Sequence, residues 1–211
     1  MPGRGMMATE INQDQAAYWN SELGRKWVDH EAALDTSFQP VLDLVLNRAA
    51  LKAGERVLDI GRGTGASTLA AAALVGARGM VEGLDISAPL LARARERAIG
   101  VAAARFTLAD AQTHGFVAGG YDVLISRFGV AFFADSVAAF ANMGRAIRPG
   151  GLCRLGRAGQ EPLVFHWHPC GGRALGQACP LAARCARPDG VSGYWPGAGG
   201  ADSGGLDRCC G

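Results

Sequence analysis

The sequence of 211 residues predicts an α/β fold organised around a doubly wound parallel sheet. Short apolar runs alternate with Ala- and Leu-rich helical segments in five successive strand–helix steps, a pattern typical of parallel sheets. The first run breaks into three glycines at alternate positions, and the next two runs are followed by aspartates. Glycines and acids therefore gather where the predicted strands end, which is the edge of such sheets that binds ligands.

The first predicted strand spans residues 56–60, and the helix after it spans residues 66–75. The loop between them contains Gly61, Gly63 and Gly65. Glycines let a ligand approach the backbone, and the free amides at the start of the helix point toward it. The same residues also satisfy the dinucleotide pattern G-x-G-x-x-G/A, so the glycines alone leave two classes of cofactor open.

Asp59, two residues before the first glycine, separates these two classes. Its carboxylate would repel the pyrophosphate of a dinucleotide but attract the ammonium and sulfonium groups of S-adenosylmethionine (SAM). The alternative is a local role, in which Asp59 accepts hydrogen bonds from the backbone amides of its own loop. On charge, the loop favours SAM.

Three motifs in register resemble the class I SAM-dependent methyltransferases. Residues 59–65, Asp-x-Gly-x-Gly-x-Gly, resemble motif I of that family, and residues 147–151 resemble its Ile-x-Pro-Gly-Gly turn. Residues 126–135 are similar to the UbiE-like branch, the type 11 methyltransferases of ubiquinone and menaquinone biosynthesis. The resemblance covers about residues 12–155, and it implies a Rossmann-like sheet, SAM as the cofactor and methyl transfer as the reaction.

The resemblance also assigns residues to the cofactor. Asp85, which ends the second predicted strand, would reach the two ribose hydroxyls; its alternative role is to cap the helix that begins near Ser87. Asp110 and Ala111 would face the adenine ring. The predicted cofactor-binding residues are Asp59, Gly61, Gly63, Thr64, Gly65, Asp85, Ile86, Asp110, Ala111 and Ser126.

Arg62 departs from motif I, in which a small residue or a cysteine is usual. An arginine aimed into the site would oppose the charge of the sulfonium. We therefore expect either that its side chain points to solvent or that the cofactor binds more weakly than it does in the family.

Residues 12–33 have a helical, amphipathic pattern with an aromatic stripe, and Pro40 is predicted to open a second helix over residues 41–50. The stripe either packs into the core or forms a lid over cofactor and acceptor, and both roles can hold together. The predicted acceptor and lid residues are Tyr18, Trp19, Trp27, Arg127, Phe128 and Phe132. This aromatic set favours a small, apolar or aromatic acceptor. No compelling general base is found, since His30 and His114 are interpreted as loop or surface histidines.

The composition changes abruptly after residue 151. Residues 152–211 contain no Ile, Thr, Lys, Asn or Met but hold 13 glycines, five prolines and all six cysteines. This composition disfavours strands and is typical of a reading-frame change, so the sheet is expected to end at or before strand five. A zinc site formed by His166, His168 and Cys170 is disfavoured because no Cys-x-x-Cys pair accompanies them, and no metal is predicted.

The chain is thus divided into a helical lid segment at residues 1–40, a SAM-binding core at 41–155 and a Gly/Pro/Cys-rich tail of low order at 156–211. A net charge of +2 argues against nucleic acid or an anionic membrane as a partner. The apolar stretch Leu69–Val75 is too short to span a bilayer. Residues 1–11 lack the apolar part of a secretory signal, so a cytoplasmic location is expected.

The sequence therefore predicts a SAM-dependent methyltransferase whose partner is a small-molecule methyl acceptor. One alternative is a degenerate, non-catalytic protein of the same fold, which Arg62 and the tail favour. Another is an NAD(P)-dependent oxidoreductase, which Asp59 disfavours. The sequence also contains only two lysines, Lys26 and Lys52, and no Tyr-x-x-x-Lys pair that could donate a proton.

Overall fold

A computed structural model describes residues 12–157 and 160–166. The strands are β1 (Arg56–Ile60), β2 (Met80–Asp85), β3 (Ala104–Leu108), β4 (Tyr121–Arg127), β5 (Ile147–Arg157) and β6 (Gln160–His166). They form one sheet in the order β3-β2-β1-β4-β5-β6. The first five strands run parallel, and β6 runs antiparallel to β5. The predicted α/β fold with a doubly wound parallel sheet is confirmed.

The strand order reverses between β1 and β4. The chain builds outward from β1 through β2 to β3, and it then returns to place β4 on the other side of β1. In open α/β sheets, such a reversal creates a crevice at the carboxyl ends of the two central strands. This end of β1 to β4, called the carboxyl edge below, is where open α/β sheets bind their ligands.

The helices that the structure describes are α1 (Gln13–Trp19), α2 (Glu22–Asp29), α3 (Glu31–Ala49), α4 (Ala66–Val75), α5 (Ala88–Arg97) and α6 (Ser136–Ala146). Helices α3 and α4 pack on one face of the sheet and α6 packs on the other. Neighbouring residues of β1 therefore pack on opposite faces of the sheet. Val57 packs in the core beside α3 and α4, Leu58 packs in the core beside α6, and both are 0% exposed. A parallel sheet covered on both faces needs such continuous apolar runs.

The predicted bounds of β1 and α4 match the structure, and β2 ends at Asp85 as predicted. The single helix predicted over residues 12–33 is wrong. A break separates α1 from α2, where Ser21 caps the start of α2 by accepting a hydrogen bond from the backbone N of Leu23 at 3.2 Å. Gly24 lets the two helices pack closely, since a Cβ there would lie 2.1 Å from the carbonyl oxygen of Trp19.

Pro40 does not open a helix but lies inside α3. The predicted boundary at residue 40 therefore cuts a continuous helix. A proline within a helix removes one backbone hydrogen bond and costs about 3 kcal/mol. Leu42 and Val45, which are 2% and 1% exposed, offset this cost because each buried side chain contributes roughly 1.5–3 kcal/mol.

The expected end of the sheet at strand five is also wrong. Strand β6 pairs with β5 from Leu152↔His166 to Arg157↔Gln160, so the predicted tail boundary at 156 falls inside β5. The ladder between these strands and the burial of Leu155 at 1% exposure outweigh the weak strand propensity of the segment. The rest of the predicted tail, residues 167–211, lies outside the described residues.

Candidate functional site

The crevice between β1 and β4 is fixed by a contact between two glycine backbones. Gly61 begins the loop after β1 with φ +64°, and Gly129 follows β4; a Cβ on Gly61 would lie 2.4 Å from the Cα of Gly129. Ser126, a predicted cofactor residue, adds a buried hydrogen bond from its Oγ to the carbonyl oxygen of Ile60 at 2.7 Å. Only glycine fits at this junction, and Ser126 ties β4 to β1.

Asp85, at the end of β2, is bound to the glycine loop, residues 61–65. Its Oδ2 accepts a hydrogen bond from the backbone N of Gly63 at 2.8 Å, and its Oδ1 accepts one from the backbone N of Ser87 at 3.0 Å. Burial raises the pKa of Asp85, and the neighbouring guanidinium of Arg62 offsets this only in part. The cap of α5 is the hydroxyl of Ser87, so the carboxylate of Asp85 remains directed at the loop.

Asp59 is fully buried at the end of β1, at 0% exposure. Its Oδ2 accepts hydrogen bonds from Ser67 Oγ at 2.6 Å and from Thr68 Oγ1 at 2.7 Å, both in α4. Its Oδ1 has no hydrogen-bond partner among the residues that the structure describes. Burial raises the pKa of Asp59, although both hydroxyls lower it. The alternative that Asp59 accepts hydrogen bonds from the backbone amides of its own loop is therefore wrong. Its carboxylate accepts hydrogen bonds from side chains of α4 instead.

Asp110 lies just after β3. Its Oδ1 accepts hydrogen bonds from the backbone N of Gln112 at 2.9 Å and from Asn12 Nδ2 at 3.4 Å, while its buried Oδ2 has no partner within the described chain. The side-chain oxygen of Asn12 accepts a further hydrogen bond from the backbone N of Ala134 at 3.2 Å. Asn12 thus joins two loops of the carboxyl edge, a role that no sequence signal indicated.

The other predicted cofactor residues lie at the same edge but are engaged by the protein. Thr64 Oγ1 accepts a hydrogen bond from Arg97 Nη1 at 3.1 Å. The carbonyl oxygen of Ile86 accepts one from Asn20 Nδ2 at 3.0 Å, and Ala111 is buried at 5% exposure. These contacts fix the shape of the edge.

Arg62 points inward, so the expectation that it faces solvent is wrong. Its side chain is 1% exposed. Its Nε donates a hydrogen bond to the carbonyl oxygen of Gly83 at 3.2 Å, and its Nη1 donates to that of Gly63. The guanidinium also lies 4.8 Å from the ring centroid of Phe106. Gly83 makes room for this arrangement, because a Cβ there would lie 2.3 Å from Cδ of Arg62.

The carboxylates near Arg62 compensate its buried charge only in part. Burial lowers the pKa of Arg62, while Asp85 and Asp59 raise it. The guanidinium is anchored to backbone of β2 and of the glycine loop. In this position it stabilises the charged forms of two buried acids, Asp59 at the end of β1 and Asp85 at the end of β2.

Aromatic rings continue the carboxyl edge on the side of β4. Tyr18 contacts Trp19 at 5.5 Å between ring centroids, and Trp19 contacts both Trp27 and Phe132 at 5.4 Å. Phe38 of α3, absent from the predicted set, lies 6.1 Å from Trp27 and 5.2 Å from Phe128. The aromatic cluster consists of Tyr18, Trp19, Trp27, Phe38, Phe128 and Phe132.

Two features tie the aromatic cluster to the loops. Trp27 lies against the glycine loop, since its Nε1 is 3.8 Å from the position a Cβ on Gly63 would take. Phe128 has the left-handed φ of 72°, which is strained for a non-glycine residue. The structure therefore brings the predicted aromatic residues together beside the predicted cofactor loop.

Arg127, the last residue of β4, lies next to the aromatic cluster. Its side chain is 8% exposed, and its Nη2 lies 3.7 Å from Asp35 Oδ1. The guanidinium is 5.7 Å from the ring centroid of Phe38. Burial lowers the pKa of Arg127, which Asp35 and Asp59 raise. His30 and His114, in contrast, lie at the end of α2 and against the ring of Phe116.

Within residues 12–157 and 160–166, no three His, Cys, Asp or Glu side chains are grouped so that they could hold a metal ion. The same part of the chain contains no helix with the length and apolar character needed to cross a membrane.

Residues 57–151, which contain the glycine loop and the strands on both sides of the crevice, match the family model described as a methyltransferase domain. They form a class I, SAM-dependent methyltransferase domain. SAM is the cofactor of this type of domain. The resemblance inferred from the three sequence motifs is confirmed.

Relatives of this domain differ in the atom they methylate. The chain is 36% identical over 129 residues to a nocamycin O-methyltransferase of Saccharothrix syringae, covering 59% of this chain and 45% of that protein. It is 33% identical over 113 residues to the ubiquinone/menaquinone biosynthesis C-methyltransferase UbiE of Coxiella burnetii (strain Dugway 5J108-111), covering 52% and 45%. The chain thus spans less than half the length of either relative.

A solved structure adds a third acceptor type. Phosphoethanolamine N-methyltransferase 2 of Haemonchus contortus, in complex with S-adenosyl-L-methionine, is 29% identical with a TM-score of 0.50, covering 56% of this chain and 27% of that one. By their names, these three proteins methylate oxygen, carbon and nitrogen. The shared domain therefore does not fix the acceptor.

Proposed function

We propose that this chain is a SAM-dependent methyltransferase in which Asp59, Asp85 and Asp110 bind the cofactor. The observation that supports this most strongly is a row of three carboxylates at the ends of β1, β2 and β3. Two of them have an oxygen with no partner in the described part of the chain, Asp59 Oδ1 and Asp110 Oδ2. Buried polar atoms are normally paired, so these oxygens mark places where a ligand would supply the donor.

SAM carries hydrogen-bond donors that match this row. Its ammonium suits Asp59, its ribose hydroxyls suit Asp85, and the amino group of its adenine suits Asp110. A carboxylate oxygen can accept two hydrogen bonds, so Asp85 retains capacity beside its backbone donors. A pyrophosphate would instead meet the charge of Asp59, which disfavours the dinucleotide-dependent alternative.

When bound, SAM supplies a methyl group already activated by its sulfonium. The work left to the chain is to align the acceptor with that methyl group and to exclude water. The aromatic cluster serves this purpose, because Trp27 joins it to the glycine loop and its ring faces attract a cation. Its apolar rings support a small, apolar or aromatic acceptor.

Binding and turnover test this proposal separately. Calorimetry with SAM, S-adenosylhomocysteine (SAH) and NADH should show binding of the first two and none of NADH. Incubation with SAM and a panel of small aromatic and apolar acceptors, with SAH measured by mass spectrometry, then tests transfer. Binding of SAM without SAH formation would favour the degenerate, non-catalytic alternative, and binding of NADH alone would favour the oxidoreductase.

A variant pair connects the result to the carboxylates. Asp110→Asn replaces the unpartnered carboxylate by a neutral amide and should weaken SAM binding about tenfold. Asp122→Asn is the matched control, because Asp122 lies near the start of β4 and accepts a hydrogen bond from the backbone N of Arg56 at 2.7 Å. The control should bind SAM as the unaltered chain does.

A further inference from the structure

Arg127 is a buried charge that the protein neutralises only weakly. Its side chain is 8% exposed, and Nη1 has no hydrogen-bond partner among the described residues. Its carboxylate partner, Asp35, lies at 3.7 Å and makes a closer contact of 2.8 Å with Arg97 Nη2. A buried guanidinium is costly unless its donors are paired. Arg127 therefore presents an unused donor.

The position of Arg127 places this donor at the ligand crevice. It ends β4 at the topological switch point, and its guanidinium lies over Phe38, 5.7 Å from the ring centroid. Phe38 in turn contacts Trp27 and Phe128 of the aromatic cluster. Asp59, at the end of the adjacent strand β1, is close enough to act on the pKa of Arg127.

We infer that Arg127 binds a carboxylate group of a ligand in this crevice, an inference that rests on the proposed function. A guanidinium presents its donors in a planar fork that matches a carboxylate. Asp59 nearby disfavours a more highly charged anion such as a phosphate. The carboxylate belongs either to the methionine part of SAM or to an acidic acceptor, and these two sources are separable by experiment.

Three variants of the full chain are compared with the unaltered protein. Arg127→Met removes the charge and keeps an apolar side chain of similar reach, and Arg127→Lys keeps the charge but loses the planar fork. Arg93→Met is the matched control, because Arg93 belongs to the neighbouring ion pairs with Glu31 and Glu96. Circular dichroism and the thermal midpoint confirm that each variant folds.

The first measurement asks whether the carboxylate is that of the cofactor. SAM and decarboxylated SAM, which keeps the sulfonium and the amine, are titrated by calorimetry. If Arg127 binds the methionine carboxylate, Arg127→Met weakens SAM at least about tenfold and leaves decarboxylated SAM unchanged. Arg127→Lys should give a smaller loss with the same selectivity, which keeps the test valid if the methionine variant does not fold.

The second measurement asks whether the carboxylate is that of an acceptor. Benzoate and its neutral analogue benzamide are titrated with and without SAH. If Arg127 binds an acceptor carboxylate, the unaltered chain prefers benzoate, Arg127→Met loses that preference, and SAM binding does not change. Because the titration is also run without SAH, it can be interpreted even if SAM fails to bind, an outcome that would count against the proposed function alone.

The inference is overturned by either of two results. In the first, Arg127→Met leaves SAM, decarboxylated SAM and benzoate all unchanged. In the second, it weakens SAM and decarboxylated SAM equally without a loss of benzoate preference, as a purely structural residue would. Arg93→Met should alter neither selectivity.

Discussion

The two halves of the carboxyl edge recognise ligands by different means. The half formed by β1, β2 and β3 presents directed polar atoms, and each of its carboxylates is held by hydrogen bonds, such as that from the backbone N of Gly63 to Asp85 at 2.8 Å. The half formed by β4 and helices α1–α3 presents aromatic rings and one weakly paired cation, Arg127. Directed bonds specify a ligand atom by atom, whereas ring surfaces specify mainly size and polarity. The cofactor can therefore be inferred from the first half, while the acceptor cannot be named from the second.

The largest expected effect is a loss of stability on substitution at the junction between the halves, where Gly61 contacts Gly129. Gly61→Ala should lower the free energy of unfolding by at least about 3 kcal/mol, because it adds both a left-handed residue and a collision with the backbone of Gly129. Gly100→Ala is the control: Gly100 has φ +86° but nothing within 4 Å of the added Cβ, so only about 1 kcal/mol should be lost. Denaturant titration measures both, and equal losses would show that the contact does not matter.

The separation of the two halves can be tested with the cofactor alone. Asp85→Ala removes an acceptor for the ribose hydroxyls and should weaken SAM binding by about 1.5–3 kcal/mol in calorimetry. Phe132→Ala, in the aromatic cluster, should leave SAM binding within about twofold, since it removes only apolar surface on the acceptor side. If both variants weaken SAM alike, the two halves form one site and the contrast between them fails.

The contact of Arg62 with Gly83 belongs to the first half. Its strength can be measured as the interaction free energy between substitutions at the two positions. Gly83→Ala should destabilise the protein by about 1–3 kcal/mol, because its Cβ would lie 2.3 Å from Cδ of Arg62 and 2.5 Å from Oγ1 of Thr68. In an Arg62→Ser background the same substitution should cost about 1 kcal/mol less. Urea unfolding of the double-mutant cycle gives this difference, and strictly additive losses would show that the glycine is not there to admit the arginine.

The smallest expected effect concerns the ion pair of Glu31 with Arg93, which holds the start of α3. Glu31, at the start of α3, accepts hydrogen bonds from Arg93 Nε at 2.8 Å and Nη2 at 3.0 Å. The hydrogen bonds from Arg93 hold the pKa of Glu31 below its ordinary value of 4.5. The stability that Glu31 contributes is therefore present above that value and is lost as the pH falls through its lowered pKa. Thermal unfolding between neutral and acidic pH should show a gap between the unaltered chain and Glu31→Gln that closes on acidification. A gap that widens would contradict the ion pair.

The first half was largely predictable from the sequence because its signals are local. The strand, the glycine loop and the helix after it are adjacent in the chain, and their bounds agree with the structure. Arg62 was misplaced because its burial depends on Gly83, which lies on the next strand. The signal that could have corrected this is present, since a glycine inside a strand often marks a close approach of other atoms.

The second half was less predictable because packing between distant segments decides it. The break between α1 and α2 depends on Gly24 meeting the carbonyl oxygen of Trp19 and on contacts with the loop after β2. Pro40 suggested a helix start, yet burial carries α3 through it. Phe38, which precedes that expected start, was not included in the predicted aromatic set. Strand β6 was missed because the Gly- and Pro-rich composition of residues 152–211 as a whole disfavours strands, although β6 itself contains Val164 and Phe165.

The continuity of α3 has a mechanical consequence. Its 19 residues form a rod about 28 Å long at 1.5 Å per residue, with Phe38 toward the crevice and Val45 packed on the sheet. On the sheet side the fit is tight, because a Cβ on Gly156 of β5 would lie only 2.7 Å from Cγ2 of Val45. The helix is thus held against β5 at its carboxyl-terminal half, and the hydrogen bonds from Arg93 to Glu31 hold its first turn. Because both ends of the helix are held, Phe38 is kept in place beside Trp27 and Phe128 at the crevice.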